Sequence, residues 1–327
     1  MSHDLAESNG RVAMMYAGEV PWHGLGIRLS DPPTACQAIQ AAGLNYLAEL
    51  KELQTVEGKL VSQRRAVVRS DTGDVLGVVG KSYVPVHNYQ AFGFLDAVVA
   101  LGQLRYHTAG ALGKGERVWM LAKLPSHIRV KGGDDLVEKF LLLSNSHDGS
   151  AALRVFFTPI RVVCQNTLNL ALRQGSGQGI CILHKGDLTS KIQEAQRVLG
   201  LAETFYIDAA AKIEALAHHY PTIDQVQSYF ANIYPDPVGA DNSRARNVRS
   251  RLTQIFETGI GLDMPDIRGT SWAAYNAVTE WVDHHRPTRA ADPTIRANRR
   301  LESAWFGSGA KLKAKAWNEA LAMVLAG

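Results

Sequence analysis

Near residue 186 the apolar residues stop recurring at every second position and begin to recur at every third or fourth. Upstream of that switch, residues 49–86 read as three strands, AELKELQTV, LVSQRRAVVRS and DVLGVVG, separated by the turns EGK and DTGD. In Asp71-Thr72-Gly73-Asp74 the glycine supplies the positive φ that a tight hairpin demands, so an antiparallel meander is expected. Asn88 can then cap a helix whose apolar side collects Tyr89, Phe92, Leu95, Val98 and Val99. Two more hairpins come next, RYHTAGAL with ERVWMLAKL around Gly113-Lys114-Gly115, and EKFLLLSNS with AALRVFFTPIRVV around His147-Asp148-Gly149-Ser150. Residues 164–173 have helical spacing and run into the glycine-rich QGSGQG. Downstream, Leu188, Ile192, Leu199, Phe205, Ile213 and Leu216 mark one long helix, and proline-rich breaks at 234–237 and 286–293 divide the remaining chain into short helices. The expected class is α+β: an antiparallel sheet with packed helices, in the order βββα, hairpins and a helix, then a mostly helical C-terminal half. The boundaries implied are an N-terminal arm over 1–48, a core domain over 49–186 and a helical domain over 187–327.

A chain of 327 residues that is 46% hydrophobic and 20% charged has the means to bury a core, which excludes a disordered or collagen-like protein. No apolar run is long enough to span a bilayer, and the opening MSHDLAESNG carries acids where a secretory signal needs a basic start, so a soluble, cytoplasmic protein without membrane contact is expected. Cys36, Cys164 and Cys181 form no C-x-x-C pair, which fits neither a disulfide framework nor a cysteine-rich zinc module. The net charge of +4 is unevenly spread: residues 243–315 hold thirteen Lys or Arg against seven Asp or Glu, an excess of +6, and the rest of the chain is −2. Such a segment attracts polyanions, or else it forms solvated helix faces.

Familiar catalytic motifs fail on spacing. Gly80-Lys81-Ser82 resembles the end of a phosphate loop, but the glycine required five residues earlier is Val75. His218-His219 and His284-His285 are adjacent pairs whose side chains point about 100° apart on a helix, and no H-E-x-x-H or G-x-S-x-G occurs. No metal, cofactor or covalent catalysis is expected. Two segments are less generic. Pro21-Trp22-His23-Gly24-Leu25-Gly26 suits either a Trp-anchored plug or close approach to a ligand. The other is Phe156 to Leu170, where a strand carries Arg154 and Arg161 into an expected helix start bearing Gln165, Asn166 and Thr167, which would gather cations and free amide donors at one place. The alternative is that Asn166 is simply a cap and Arg161 pairs with a carboxylate.

The segments 21–26, 161–168, 272–284 and 306–310, in this order along nearly the whole chain, resemble the phage/plasmid-like protein family of the DUF932 type, a domain of unknown function carried on mobile elements. More distantly, the order of strands and helix over 49–173 is similar to the core of phage and eukaryotic single-strand annealing proteins, the Rad-type and Red-beta group. The function expected is therefore binding and annealing of single-stranded DNA by a recombination-type protein. A groove of Lys123, Arg154, Arg161, Asn166 and Arg173 would grip the phosphodiester backbone, with Arg244, Arg246, Arg249 and Arg251 as a second set. The annealing resemblance implies a homo-oligomer, a ring or a helical filament. Two other readings compete. One is a nuclease or anti-restriction enzyme built from Trp22, His23, His87, His107, His147 and the Asp283-His284 pair, and the other is a scaffolding protein without nucleic-acid contact.

Overall fold

Short N-terminal strands β1 (Glu7–Ser8), β2 (Arg11–Val12), β3 (Met14–Ala17) and β4 (Ile27–Leu29) lead into helix α1 (Ala35–Ala41), which Thr34 and Gln37 close with reciprocal capping hydrogen bonds. The computed structural model describes residues 7–8, 11–17, 26–93, 96, 99, 104–161, 166–167, 179–182, 191–239, 242–264, 266–288, 300 and 302–326. The meander continues the chain as β5 (Ala48–Gln54), β6 (Leu60–Arg69) and β7 (Val75–Gly80), an antiparallel sheet in that order. Gly73, at φ +77°, closes its second turn. After α2 (Asn88–Gly93) come the two hairpins, β8 (Arg105–Leu112) with β9 (Arg117–Arg129) and β10 (Leu136–Ser146) with β11 (Leu153–Arg161).

These hairpins form the centre of an eight-stranded sheet. Its order is β12 (Asn166–Thr167), β11, β10, β9, β8, β3, β4, and β13 (Gly179–Ile182) also pairs with the outer edge of β11. The pairs are antiparallel except β3 with β4. Met14–Ala17 thus lies inside the main sheet, against Thr108–Gly110, so the first 48 residues supply part of the core.

The helical half consists of α3 (Lys191–His218), α4 (Ile223–Ile233), α5 (Ser243–Thr258), α6 (Ser271–Glu280), a π-helical turn (Trp281–His285) and α7 (Ser308–Ala326). Thr222 caps α4 with Gln225 in a capping box and Thr270 caps α6, and the break after Ile233 falls where the prolines predict it. Alternation in the central strands sends Met120, Leu141, Val155 and Phe157 to one face, where they join the helices in a single large core. The opposite face carries a smaller core of Met14, Leu112, Trp119, Leu121, Phe140 and Leu142.

Three polar junctions fix the layers. Arg161, at the end of β11, donates from Nε to both Asp135 oxygens at 2.7 and 3.0 Å, and Trp272 at the start of α6 donates to the same carboxylate at 2.9 Å. Tyr206 of α3 both accepts from the Phe140 N–H and donates to its carbonyl, at 2.8 and 2.7 Å, where a bulge interrupts the ladder. The small sheet is fastened by Arg69, which stacks over the Tyr46 ring at 4.0 Å and donates to Asp71 and to the Lys114 carbonyl. It also rests on the β10–β11 turn, because an ideal Cβ on Gly77 would come within 2.4 Å of Asp148 Cα.

One expected element differs. Asn166 and Thr167 form a strand, paired with Arg161 and Ile160, and do not open a helix. The free edge of β11 offers main-chain partners that a short polar segment satisfies better than an unsupported helical turn does. The remainder of 164–173 lies outside the described residues, as does the Pro21–Leu25 stretch.

Replacing Asp135 with Ala would leave the Arg161 guanidinium buried without its carboxylate. Urea unfolding of Asp135→Ala should show a loss of about 3–5 kcal/mol, with Asp135→Asn intermediate.

Candidate nucleic-acid interface

Strand parity places the cations. On β9, Arg117 and Lys123 share the face of Trp119 and Leu121, and on β11 Arg154 shares the face of Phe156 and Ile160. Arg105, which opposes Lys123, and Arg28, which opposes Tyr16 beside Met14, extend this outer face toward β4. Arg154 lies opposite Ser144 and Arg117 opposite Ser146, so the two arginines sit two strands and one pleat apart. Standard sheet spacings put their Cα atoms about 12 Å from each other.

Aromatic rings are interleaved with these cations. The segment Glu302–Phe306 crosses the outer face and sets the Trp305 ring edge-on to Trp119 at 4.8 Å and Phe306 against Phe156 at 6.3 Å. Arg117 lies over the Phe306 ring at 5.3 Å and reaches Glu302 at 3.6 Å. Phe156, Trp305 and Phe306 are only half-buried, whereas Trp119 is fully covered. The patch therefore presents partly exposed ring surface beside an exposed Arg154 and a half-buried Arg117. That pairing of flat apolar surface and positive charge suits a chain of stacked bases on a phosphate backbone.

Further along the face Lys123 is paired with Glu138 and His107 packs edge-on against Phe140 at 5.3 Å. Burial holds the His107 pKa below the ordinary imidazole value, the Lys123 ammonium pushes it down further, and Glu138 partly opposes both.

Of the residues anticipated from sequence, the structure brings Lys123 and Arg154 to one face. Arg161 is a correction: it is 1% exposed, held by Asp135 on the opposite, core-facing side, and cannot touch a polyanion. Asn166 belongs to β12 and supplies no helix-start amides. Arg173 lies outside the described residues. In the second set, Arg244 and Arg246 are exposed on α5, whereas Arg249 is engaged by Asp236 at 2.7 Å and the Tyr234 carbonyl, and Arg251 by Gln254 at 2.5 Å. Helix α5 packs on α4 and α6, so this set belongs to the helical half and not to the sheet face.

Arg117, Phe156, Trp305 and Phe306 are the members that sequence reasoning missed. The alternation Arg117-Val118-Trp119 within a strand was the available signal for the first, since it puts the arginine and the indole on one side. Asp283, in the π-helical turn, accepts from the buried Lys313 of α7 at 2.8 Å. Among the described residues no group of three or more His, Cys, Asp or Glu is placed to hold a metal ion, and no helix is long and apolar enough to cross a membrane.

With its folded-state pKa depressed, His107 resists protonation that the unfolded chain accepts. Stability linked to it is complete above the ordinary histidine pKa and is lost as pH falls below about 6.5. NMR titration should place the His107 midpoint below that value, and His107→Gln should flatten this part of the stability profile.

A family model described as "Domain of unknown function (DUF932)" matches residues 75–305. No curated protein and no solved structure matches the chain.

Proposed function

The chain belongs to the DUF932 family, whose description leaves its activity open, and from that starting point we propose that it binds single-stranded DNA on the outer face of its eight-stranded sheet and promotes strand annealing. The observation that carries this reading is the shared face of Arg117, Lys123, Arg154 and the half-buried rings of Phe156, Trp305 and Phe306. Arg154, together with Arg117 and Lys123 once a phosphate takes the place of Glu302 and Glu138, replaces condensed counterions on the strand, and release of those ions drives binding without regard to sequence. Rings with one open side take up bases by stacking, which every base allows. A strand held by its backbone keeps its pairing edges available, so annealing needs no group that makes or breaks a covalent bond. A role in recombination on a phage, plasmid or other mobile element is part of the same proposal. Assembly of several copies belongs to the same reading.

Binding to a labelled oligothymidine should weaken steeply as salt is added, and each phosphate contact removed should reduce the slope of log K against log salt by about 0.7. Arg154→Glu and Arg117→Glu should each lower affinity roughly tenfold at low salt, with melting temperature unchanged for the first. Phe306→Ala should cost about 1–3 kcal/mol of binding if a base stacks there. Equal binding by Arg154→Glu and the parent would refute the site, and metal-dependent loss of the labelled strand would refute the non-enzymatic reading.

A further inference from the structure

We propose that the protein forms a two-fold dimer by antiparallel pairing of β5 with β5 of a second copy, centred on Leu50. The small sheet does not stop at the body of the molecule. β7 pairs with Arg64–Val68 of β6, and Leu50, Lys51 and Glu52 of β5 lie opposite Val67, Ala66 and Arg65, so β5 is the free edge of a three-stranded sheet there, and only residues 53–54 and 60–63 continue beyond β7 as a two-stranded ribbon. Both parts carry open apolar side chains, Leu50 at 40% exposure on the edge strand and Leu60 at 51% on the ribbon. An exposed edge strand with open apolar side chains is a template for a further strand, which would stabilise the edge and the ribbon beyond it.

The edge that receives the partner is defined by main-chain direction. The Ser70 N–H donates to the Leu47 carbonyl, so Leu47 faces β6, while the Ala48 N–H turns the other way and donates to His87 Nδ1 at 3.4 Å. Alternation then turns the N–H and C=O of Leu50 and Glu52 outward, away from β6. Among the described residues no strand lies beyond β5. Two copies of Leu50 placed opposite one another exchange two hydrogen bonds across the axis, and Glu52 of each copy then lies opposite Ala48 of the other, where its carbonyl takes over the N–H that His87 holds within one chain.

Charge selects this register over its neighbours. Centring on Leu50 sets Glu49 of each copy against Lys51 of the other, twice by symmetry, on the sheet face where the two side chains already meet within one chain at 3.6 Å. Centring on Lys51 would oppose lysine to lysine, and centring on Glu52 would oppose glutamate to glutamate. The product is a continuous six-stranded sheet running β7-β6-β5 and back through the second copy.

The test uses the full chain in sedimentation velocity, without nucleic acid, so its outcome is separate from that of the binding experiments. The parent should sediment as a dimer or as an assembly built from dimers. Glu49→Lys and Lys51→Glu should each weaken dimerisation by about tenfold or more, since each places like charges opposite one another twice. An equimolar mixture of the two variants should recover the parent's association, because every reversed charge then meets its opposite. A monomeric parent, variants that associate as the parent does, or a mixture no better than either variant alone would each overturn the proposal.

Discussion

Arg161, Asp135 and Trp272 form the contact that determines how the two halves of this protein meet. The guanidinium and carboxylate are both withdrawn from water, which costs each of them several kcal/mol that only close pairing and further hydrogen bonds offset. The indole N–H and the Ile260 carbonyl, at 2.9 and 3.3 Å, provide those further bonds. The start of α6 is thereby placed against the end of β11. From α6 the chain passes through the π-helical turn to α7, where Lys313 is buried on Asp283. Burial pulls the Lys313 pKa down and the carboxylate pulls it back up. The Asp283–Lys313 pair thus closes the stretch of chain that carries Trp305 and Phe306 across the sheet.

The sheet works with different chemistry on its two sides. Its inner side is a continuous apolar surface for the helices, whereas its outer side has a smaller apolar patch, partly covered by two aromatic residues and ringed by cations. Long basic side chains can lie over apolar surface with their charged ends in water, so the same positions tolerate both burial and charge. Charge, flat rings and incomplete cover are the features of this face on which the proposed function rests.

Much of the architecture was legible in the chain. Glycines at the turns, β-branched runs and threonine caps each act within a few residues, and the meander, both hairpins and the long helix are consequences of them. The candidate interface was legible only in part, because its members come from strands and a C-terminal segment that periodicity cannot bring together. Trp305 is 186 residues from Trp119. Arg161 is instructive in a different way. It and Arg154 lie in one strand seven residues apart, and an odd separation sends two side chains to opposite faces, so alternation alone forbids a common groove. What no local pattern carries is the identity of its partners, 26 residues away for Asp135 and farther for Ile260. Around Asn166 the helical spacing of the neighbours predicts a helix, yet the vacant edge of β11, a tertiary feature, decides otherwise.

Gly77 has a mechanical implication. Because nothing projects from its α-carbon, the small sheet lies almost in touch with the Asp148 backbone, and Val79 abuts Gly149 on the same turn. From this contact, and from the Arg69 anchor beside it, the β5–β6 ribbon runs out to the fully exposed Val56, so one missing methyl group sets the bearing on which the ribbon meets whatever it touches.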